Sequence, residues 1–448
     1  MKQSTIDQLT NRKLLLVLTY APAGLGHLRV TDALYHGLPE TVSPVILGSQ
    51  DRSIQSIHRL TSVNPVGKAV FDWLQGGPFS AQSNRLYRNS LRTNTRDIYN
   101  EMTRLLTERL ERPDKILVVC THFGLAHKLA AIKEELQARE GVRVVLAVCV
   151  TDDTFQHIWY VDGADLLVVP SQYTKRKYDL LGEGLSRKPR VEVVPYPVHP
   201  RLGEKLDAAQ LAAKTRQLDA HSGEPIHVSI PISWAAVGTE YSSGLIAQLR
   251  QRSDRFLFHI VCKDAPFTQG FLAQWAGKAW VDVRPGRQDR QVVDLYDVLM
   301  QQEVISLEVT KPSEQTFKCL AGTRSRGGVI LLFTQPVGVQ EFDNMDFLRR
   351  HTLVPSSEAN AQLWAMAKDN ARLDQALRTQ LSEEAGNWRG VRIPADPKEA
   401  SDFIWWMLTS GFFARMLDGN LDRKVKDEES RILGPDGVSE FWDLATSV

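Results

Sequence analysis

Residues 14–34 read LLLVLTYAPAGLGHLRVTDAL, and this stretch decides the fold. An uninterrupted apolar run, Leu14 to Leu18, breaks into a turn carrying Gly24, Gly26 and His27. From Arg29 onward the spacing turns helical, with Ala33 and Leu34 on one face. Strand, glycine loop and helix in that order are the opening unit of a doubly wound α/β domain. Glycine admits the positive φ values and close backbone approach that such a loop needs. The helix start beyond it presents N–H groups at a positive dipole end, which suits phosphate or another anion. His27 adds a group that moves protons near neutral pH. Two readings stand at this point. Either the turn holds an anion, or its glycines only make a tight βα connection and His27 is an exposed polar residue.

The rest of the chain extends the same pattern. A length of 448 residues exceeds one compact core and implies two or three domains. Hydrophobic content of 43% and charged content of 24% are those of an ordinary soluble globular protein. A net charge of +1 supplies no argument for a nucleic-acid partner. Cys120, Cys149, Cys262 and Cys319 are far apart, without metal or disulfide spacing, and read as buried thiols in a reducing compartment. The polar N-terminus has no signal-peptide core, and no apolar run reaches bilayer length. The expected location is cytoplasmic, with contact at a membrane surface left open.

Apolar runs at Pro44–Leu47, Ile116–Cys120, Val142–Val150, Leu166–Val169 and Val191–Val194 read as strands separated by helices. Strands apolar on both faces indicate a parallel sheet covered on both sides. Ligands of such sheets bind at the carboxyl ends of the strands. Gly26-His27, Thr121-His122 and Thr151-Asp152 all fall at those ends. Each alone is an ordinary strand-end polar pair. Together, two histidines and a carboxylate on one edge would orient a hydroxyl and remove its proton. The intervening stretch, Ile54–Leu110, is helical in pattern and carries Arg85, Arg88, Arg92 and Arg96 among aliphatic and aromatic residues. Arginines so spaced usually form a solvated face; lying on a membrane surface is the alternative.

The loop His221 to Pro225 is the best candidate for a hinge. A second α/β series follows, with strands expected at Ile226–Ile230, Phe256–Cys262, Trp280–Val283, Val304–Val309 and Val329–Phe333. Gly238 precedes Thr239 and a helix, so the strand–loop–helix opening recurs. The tail segment Phe403–Leu417 is rich in aromatics and is expected to pack in a core or an interdomain contact rather than in a membrane.

These pieces resemble a known family. Gly24-Leu25-Gly26-His27, Thr121-His122, Thr151-Asp152 with His157 and Trp159, Pro195 to Pro200, Gly238, Lys311-Pro312 and Pro336 to Asn344 occur in an order similar to the GT-B glycosyltransferases. The likeness is to the branch holding monogalactosyldiacylglycerol synthase, processive diacylglycerol glucosyltransferases and, more distantly, MurG. It spans about residues 14–350 and implies two Rossmann-like domains with a cleft between them. By that resemblance residues 1–200 form an acceptor-binding domain, 201–400 a nucleotide-sugar-binding domain, and 401–448 helices packing back on the N-terminal domain. The implied activity is inverting transfer of a hexose from a nucleotide diphosphate sugar, UDP-linked in this family, to a lipid or other small hydroxyl acceptor. No metal or other cofactor is implied.

The resemblance also implies roles. His27, or alternatively Asp152, would be the general base, and Thr121, His122 and Thr151 would meet the acceptor. Gly24, Gly26, Gly238, Thr239 and Lys311 would face the diphosphate. Val283 and Arg284 would meet the nucleotide base. Glu314 and Thr316 would serve the ribose, and Gln340, Glu341 and Asn344 the donor sugar. Two departures stand out. Trp234 occupies a loop where the family has small residues, and the family's ribose-gripping glutamate falls on Lys318 or Cys319. Glu314 would then be the substitute. The alternatives are a non-catalytic nucleotide-sugar-binding protein of the same fold and a UDP-N-acetylglucosamine 2-epimerase-like enzyme.

Overall fold

The computed structural model describes residues 1–20, 25–48, 91–93, 95–183, 185, 187–232, 236–333, 339–369, 375–419 and 432–448. Gly24, Arg85, Arg88, Trp234 and Pro336 lie outside the described residues. The chain forms two compact units, Met1–Pro200 with Asp427–Val448, and Arg201–Lys426.

In the first unit, α1 (Gln3–Leu9) leads into β1 (Leu14–Tyr20), α2 (Leu25–His36) and β2 (Val45–Gly48). Then come α3 (Arg96–Thr107), β3 (Lys115–Cys120), α4 (Phe123–Glu140), β4 (Arg143–Cys149), β5 (Leu166–Val169), α5 (Gln172–Leu181) and β6 (Arg190–Val193). All six strands are parallel in the order β2-β1-β3-β4-β5-β6. The central strands are buried along almost their whole length, as continuous apolar runs require when helices cover both faces. Because β1 leads to β2 on one side and the chain then crosses to β3 on the other, the sheet has its switch point between β1 and β3.

The second unit repeats the plan. It runs α6 (Ala208–Gln217), β7 (Ile226–Pro231), α7 (Thr239–Arg252), β8 (Phe256–Lys263), α8 (Gln269–Trp275), β9 (Val281–Gly286), α9 (Asp289–Gln302) and β10 (Leu307–Thr310). A 3-10 helix (Glu314–Ala321) precedes β11 (Val329–Leu332), α10 (Val339–Arg350), α11 (Ser357–Lys368), α12 (Gln375–Ala385), β12 (Gly390–Arg392), α13 (Pro397–Thr409) and α14 (Phe412–Asp418). The strand order is β12-β11-β10-β7-β8-β9, all parallel, with the switch point between β7 and β10. Two doubly wound, Rossmann-like units in one chain are the composition of the GT-B class.

Two expectations meet the structure differently. The hinge expected at His221–Pro225 is corrected, because the helix before it belongs to the second unit. An Asp207–Gln210 capping box starts α6, and its buried Lys214 donates to the carbonyls of Thr323 (2.6 Å), Ser325 (3.1 Å) and Gly327 (2.6 Å). The tail divides. Phe403, Trp406, Phe412, Phe413 and Met416 of α13 and α14 join the core of the second unit. The last helix, α15 (Gly437–Ser447), packs on α1 and α2 of the first. Aromatic density called for burial there, and an apolar face does not state which core will take it.

All four cysteines are buried and unbonded, as read from the sequence. Burial raises each of their thiols to about 12. Among the described residues no helix is long and apolar enough to cross a membrane.

Candidate functional site

The carboxyl edge of the first sheet gathers the histidines that the sequence singles out. His27 stands in the first turn of α2, and His122 is the residue just before α4. Their rings meet edge to face at 4.9 Å between centroids. Thr151, two residues beyond β4, sets its Oγ1 at 3.1 Å from His27 Nδ1. Its own carbonyl accepts the Tyr196 hydroxyl at 2.9 Å. Thr121 and Thr31 share a hydrogen bond of 2.8 Å, and both hydroxyls reach the His27 carbonyl, at 3.0 and 2.9 Å. His27 is therefore fixed through backbone and ring together.

His122 caps α4: its Nδ1 accepts the Gly124 N–H at 3.1 Å. A ring nitrogen that accepts a hydrogen bond carries no proton, so the neutral imidazole holds its proton on Nε2 and is a donor there. Where Thr151 accepts from His27 Nδ1–H, the lone pair of His27 is on Nε2. One ring is then built to take a proton and the other to give a hydrogen bond. Trp159, 6.0 Å from His27, and Phe123, stacked 4.4 Å from His122, supply apolar walls.

Asp152 is half-buried beside Thr151, whereas its neighbour Asp153 is buried and accepts from Ser171 (2.6 Å) and Thr174 (2.7 Å) at the start of α5. Gly26 is half-buried in the first turn of α2. Of the basic series, Arg92 donates to the Asp162 carbonyl at 2.7 Å and Arg96 begins α3.

In the second unit the switch point opens as a crevice lined by Ile230, Pro231, Ser242, Val309, Lys311 and Phe333. Gly238, at φ +85°, sits just before α7. A Cβ there would meet the Phe333 ring at 2.4 Å, so both conformation and space demand glycine. Thr239 opens the helix, whose first N–H groups have no intrahelical acceptor. One turn on, the Ser242 hydroxyl lines the crevice, buried and with no partner among the described residues. A buried polar atom left unmatched is costly, and a bound polar group would satisfy it.

Lys311, just past β10, pairs with Glu341 at 2.6 Å. Gln340 is half-buried and Asn344 fully buried on the same helix, α10. Thr316 is buried and donates to the Ser313 carbonyl at 2.9 Å, two residues beyond the half-buried Glu314. Lys318, which with Cys319 is one of two positions where the resemblance puts a glutamate, bonds to buried Glu308 (2.7 Å), which also accepts the Tyr296 hydroxyl (2.5 Å). Val283 packs at the margin of the core, and Arg284 donates to Asp282 at 2.6 Å.

The structure thus brings His27, Thr121, His122 and Thr151 together in one unit, and Gly238, Thr239, Lys311 and Glu341 around one strand edge in the other. Trp159 and Tyr196 enter the sequence reading only within longer motif pieces, and Thr31 and Ser242 are given no part in it. Their roles come from neighbours distant in sequence, which no local spacing announces.

No protein-family model matches the chain, and no curated protein does. Solved structures similar in chain course include Staphylococcus aureus MnaA with UDP, at 10% identity over 95% of this chain and 94% of that one, TM-score 0.47. A UDP-glucosyltransferase from Polygonum tinctorium capable of glucosylating indoxyl, with 3,4-dichloroaniline, matches at 14% identity over 97% and 99%, TM-score 0.43. The UDP-GlcNAc 2-epimerase of Neisseria meningitidis bound to UDP-GlcNAc matches at 12% over 96% and 98%, TM-score 0.44. At such identities and TM-scores the likeness carries no argument about chemistry.

Proposed function

We propose that the protein transfers a hexose, with inversion, from a UDP-linked sugar to a lipid or other small hydroxyl acceptor. The observation that supports this most is the His27–His122 pair, whose rings meet at 4.9 Å at the switch point of the first sheet, with Thr151 Oγ1 on His27 Nδ1. In this reading the acceptor O–H gives its proton to His27 Nε2 while its oxygen forms the bond to the anomeric carbon. His122 Nε2–H orients that oxygen. The bond from the anomeric carbon to the diphosphate breaks, and the nucleotide leaves with the electron pair. The start of α7, Ser242 and Lys311 meet the charge that develops there. Glu341, Gln340 and Asn344 hydrogen-bond the sugar, and Glu314 serves the ribose. Asp152 supports the acceptor side, and the Thr151–Tyr196 relay that holds the His27 ring favours His27 as the base. A peripheral position on a cytoplasmic membrane face follows only from a lipid acceptor.

The test pairs binding with turnover. Thermal shift against UDP-, GDP- and TDP-sugars should single out UDP-sugars, and nucleotide release should rise with membrane lipids. Absence of a shift with every nucleotide sugar overturns the reading; epimerised UDP-sugar without release would move it to the epimerase alternative. His27→Ala should lower transfer by about 10²–10⁴-fold and leave nucleotide-induced stabilisation intact. Near-normal transfer would remove His27 from the role of base.

A further inference from the structure

Away from both strand edges described above, one face of the second sheet carries His227, His259, Asp282 and Arg284. The ladder explains why they meet: His259 pairs with Ser229, two residues from His227, and with Asp282 on the other side. Strand residues two apart share a face, so all four side chains project together. Glu303, just beyond the C-terminal end of α9, reaches the same place. His227 Nδ1 lies 3.0 Å from His259 Nε2 and 3.3 Å from Glu303 Oε2. The three ligand atoms all fall within 4.8 Å of one another.

We infer that His227 Nδ1, His259 Nε2 and Glu303 Oε2 form a binding site for a divalent transition ion of the zinc class. An ion about 2.0–2.2 Å from each ligand atom sets tetrahedral ligands roughly 3.3–3.6 Å apart, close to the two spacings from His227 Nδ1. The outer contacts fit as well. His259 turns its other nitrogen, Nδ1, to Asp282 Oδ2 at 3.3 Å, and Arg284 Nε holds the same carboxylate oxygen at 2.6 Å. A carboxylate on the far nitrogen fixes the ring and the tautomer that leaves Nε2 for the metal. Binding moves the His227 proton from Nδ1 to Nε2.

Two histidines and one carboxylate leave a fourth position for water, and His227 and Glu303 are partly exposed, at 19% and 33% of their side chains. His227 is near the start of β7, roughly 13 Å along the strand from the crevice at Pro231. The ion therefore acts as a clip joining β7, β8 and the end of α9, not as part of sugar transfer.

The experiment uses the full chain after chelator treatment and dialysis. Titration with Co2+ should give visible absorption of a low-coordinate site saturating at about one ion per chain, displaced by Zn2+. Zinc at a hundredfold excess over Kd should raise the melting temperature of the second unit by about 5–10 °C. Glu303→Gln, at a partly exposed helix end, should weaken binding at least tenfold, and Asp282→Asn by about 10–100-fold. His227→Ala should abolish it, with circular dichroism checking the fold of each variant. Failure of the wild-type chain to take up either ion overturns the site. So does uptake that is unchanged in Glu303→Gln and His227→Ala.

Discussion

At the scale of single residues, the site depends on where His122 points, and a glycine two positions on controls that. An added Cβ at Gly124 would stand 2.9 Å from His122 Cε1 and 3.1 Å from its Nδ1. Gly124→Ala should therefore turn the ring away from His27 and lower transfer by about tenfold or more, since a displacement of an ångström at a positioning group costs on that order. The same change improves helix propensity by up to about 1 kcal/mol and loses the His122 cap on the Gly124 N–H, worth about as much, so the melting temperature should change little. Loss of stability in step with activity would show that the methyl disrupts packing generally. His27, Thr121, His122 and Thr151 were legible in the sequence because each follows an apolar run, and parallel sheets present their strand ends to ligands. Thr31 was not, and Trp159 and Tyr196 stood only inside longer motif pieces, because contacts made across the sheet edge leave no periodic trace. Lys318 shows the same limit: by the resemblance the ribose glutamate's position falls on it or on Cys319, and only the fold shows its ammonium held by Glu308.

At the scale of elements, strands with long apolar runs could be read almost to the residue, whereas Gly390–Arg392 could not, being three residues with one apolar side chain. Helix α6 was visible by its alanines, yet its allegiance to the second unit comes from contacts distant in sequence, the buried Lys214 among them. Burial lowers the pKa of Lys214 from 10.5 to about 7. Between about pH 7 and 10.5 the unfolded chain therefore binds a proton there that the folded chain lacks. Stability rises with pH wherever the unfolded state holds more protons. The second unit should gain about 2 kcal/mol between pH 7 and 9, from the ~1.4 kcal/mol per unit that one proton supplies. Above pH 9 the buried thiols of Cys262 and Cys319, raised to about 12, oppose the gain, because the unfolded chain loses those protons first. Urea unfolding at pH 7, 8 and 9 reads this directly. Lys214→Met should flatten the slope, and an equal slope in that variant would assign it to other groups. The same variant leaves the carbonyls of Thr323, Ser325 and Gly327 without their donor and should cost about 2–4 kcal/mol at pH 7.

At the scale of the whole molecule, the two units are built alike but stabilised differently, and only the first draws on both ends of the chain. Trp442 is fully buried and donates Nε1–H to the Leu34 carbonyl at 3.0 Å, while Asp443 accepts from Thr5 at 2.6 Å and from the Lys2 backbone at 2.8 Å. The last helix thus closes over α1 and α2, and units with separate cores respond separately to damage in one of them. Trp442→Ala removes a large buried ring and the partner of a carbonyl, and should destabilise the first unit by about 3–5 kcal/mol. Limited proteolysis followed by mass spectrometry should show faster cleavage within residues 1–200 and an unchanged rate within 201–426. A chain of residues 201–426 made alone should unfold cooperatively and still be stabilised by a UDP-sugar, because the α7 start, Ser242 and Lys311 all belong to it. Equal acceleration of cleavage in both units would show that the helix supports the chain as one body, and the division into an acceptor half and a donor half would then lose its physical basis.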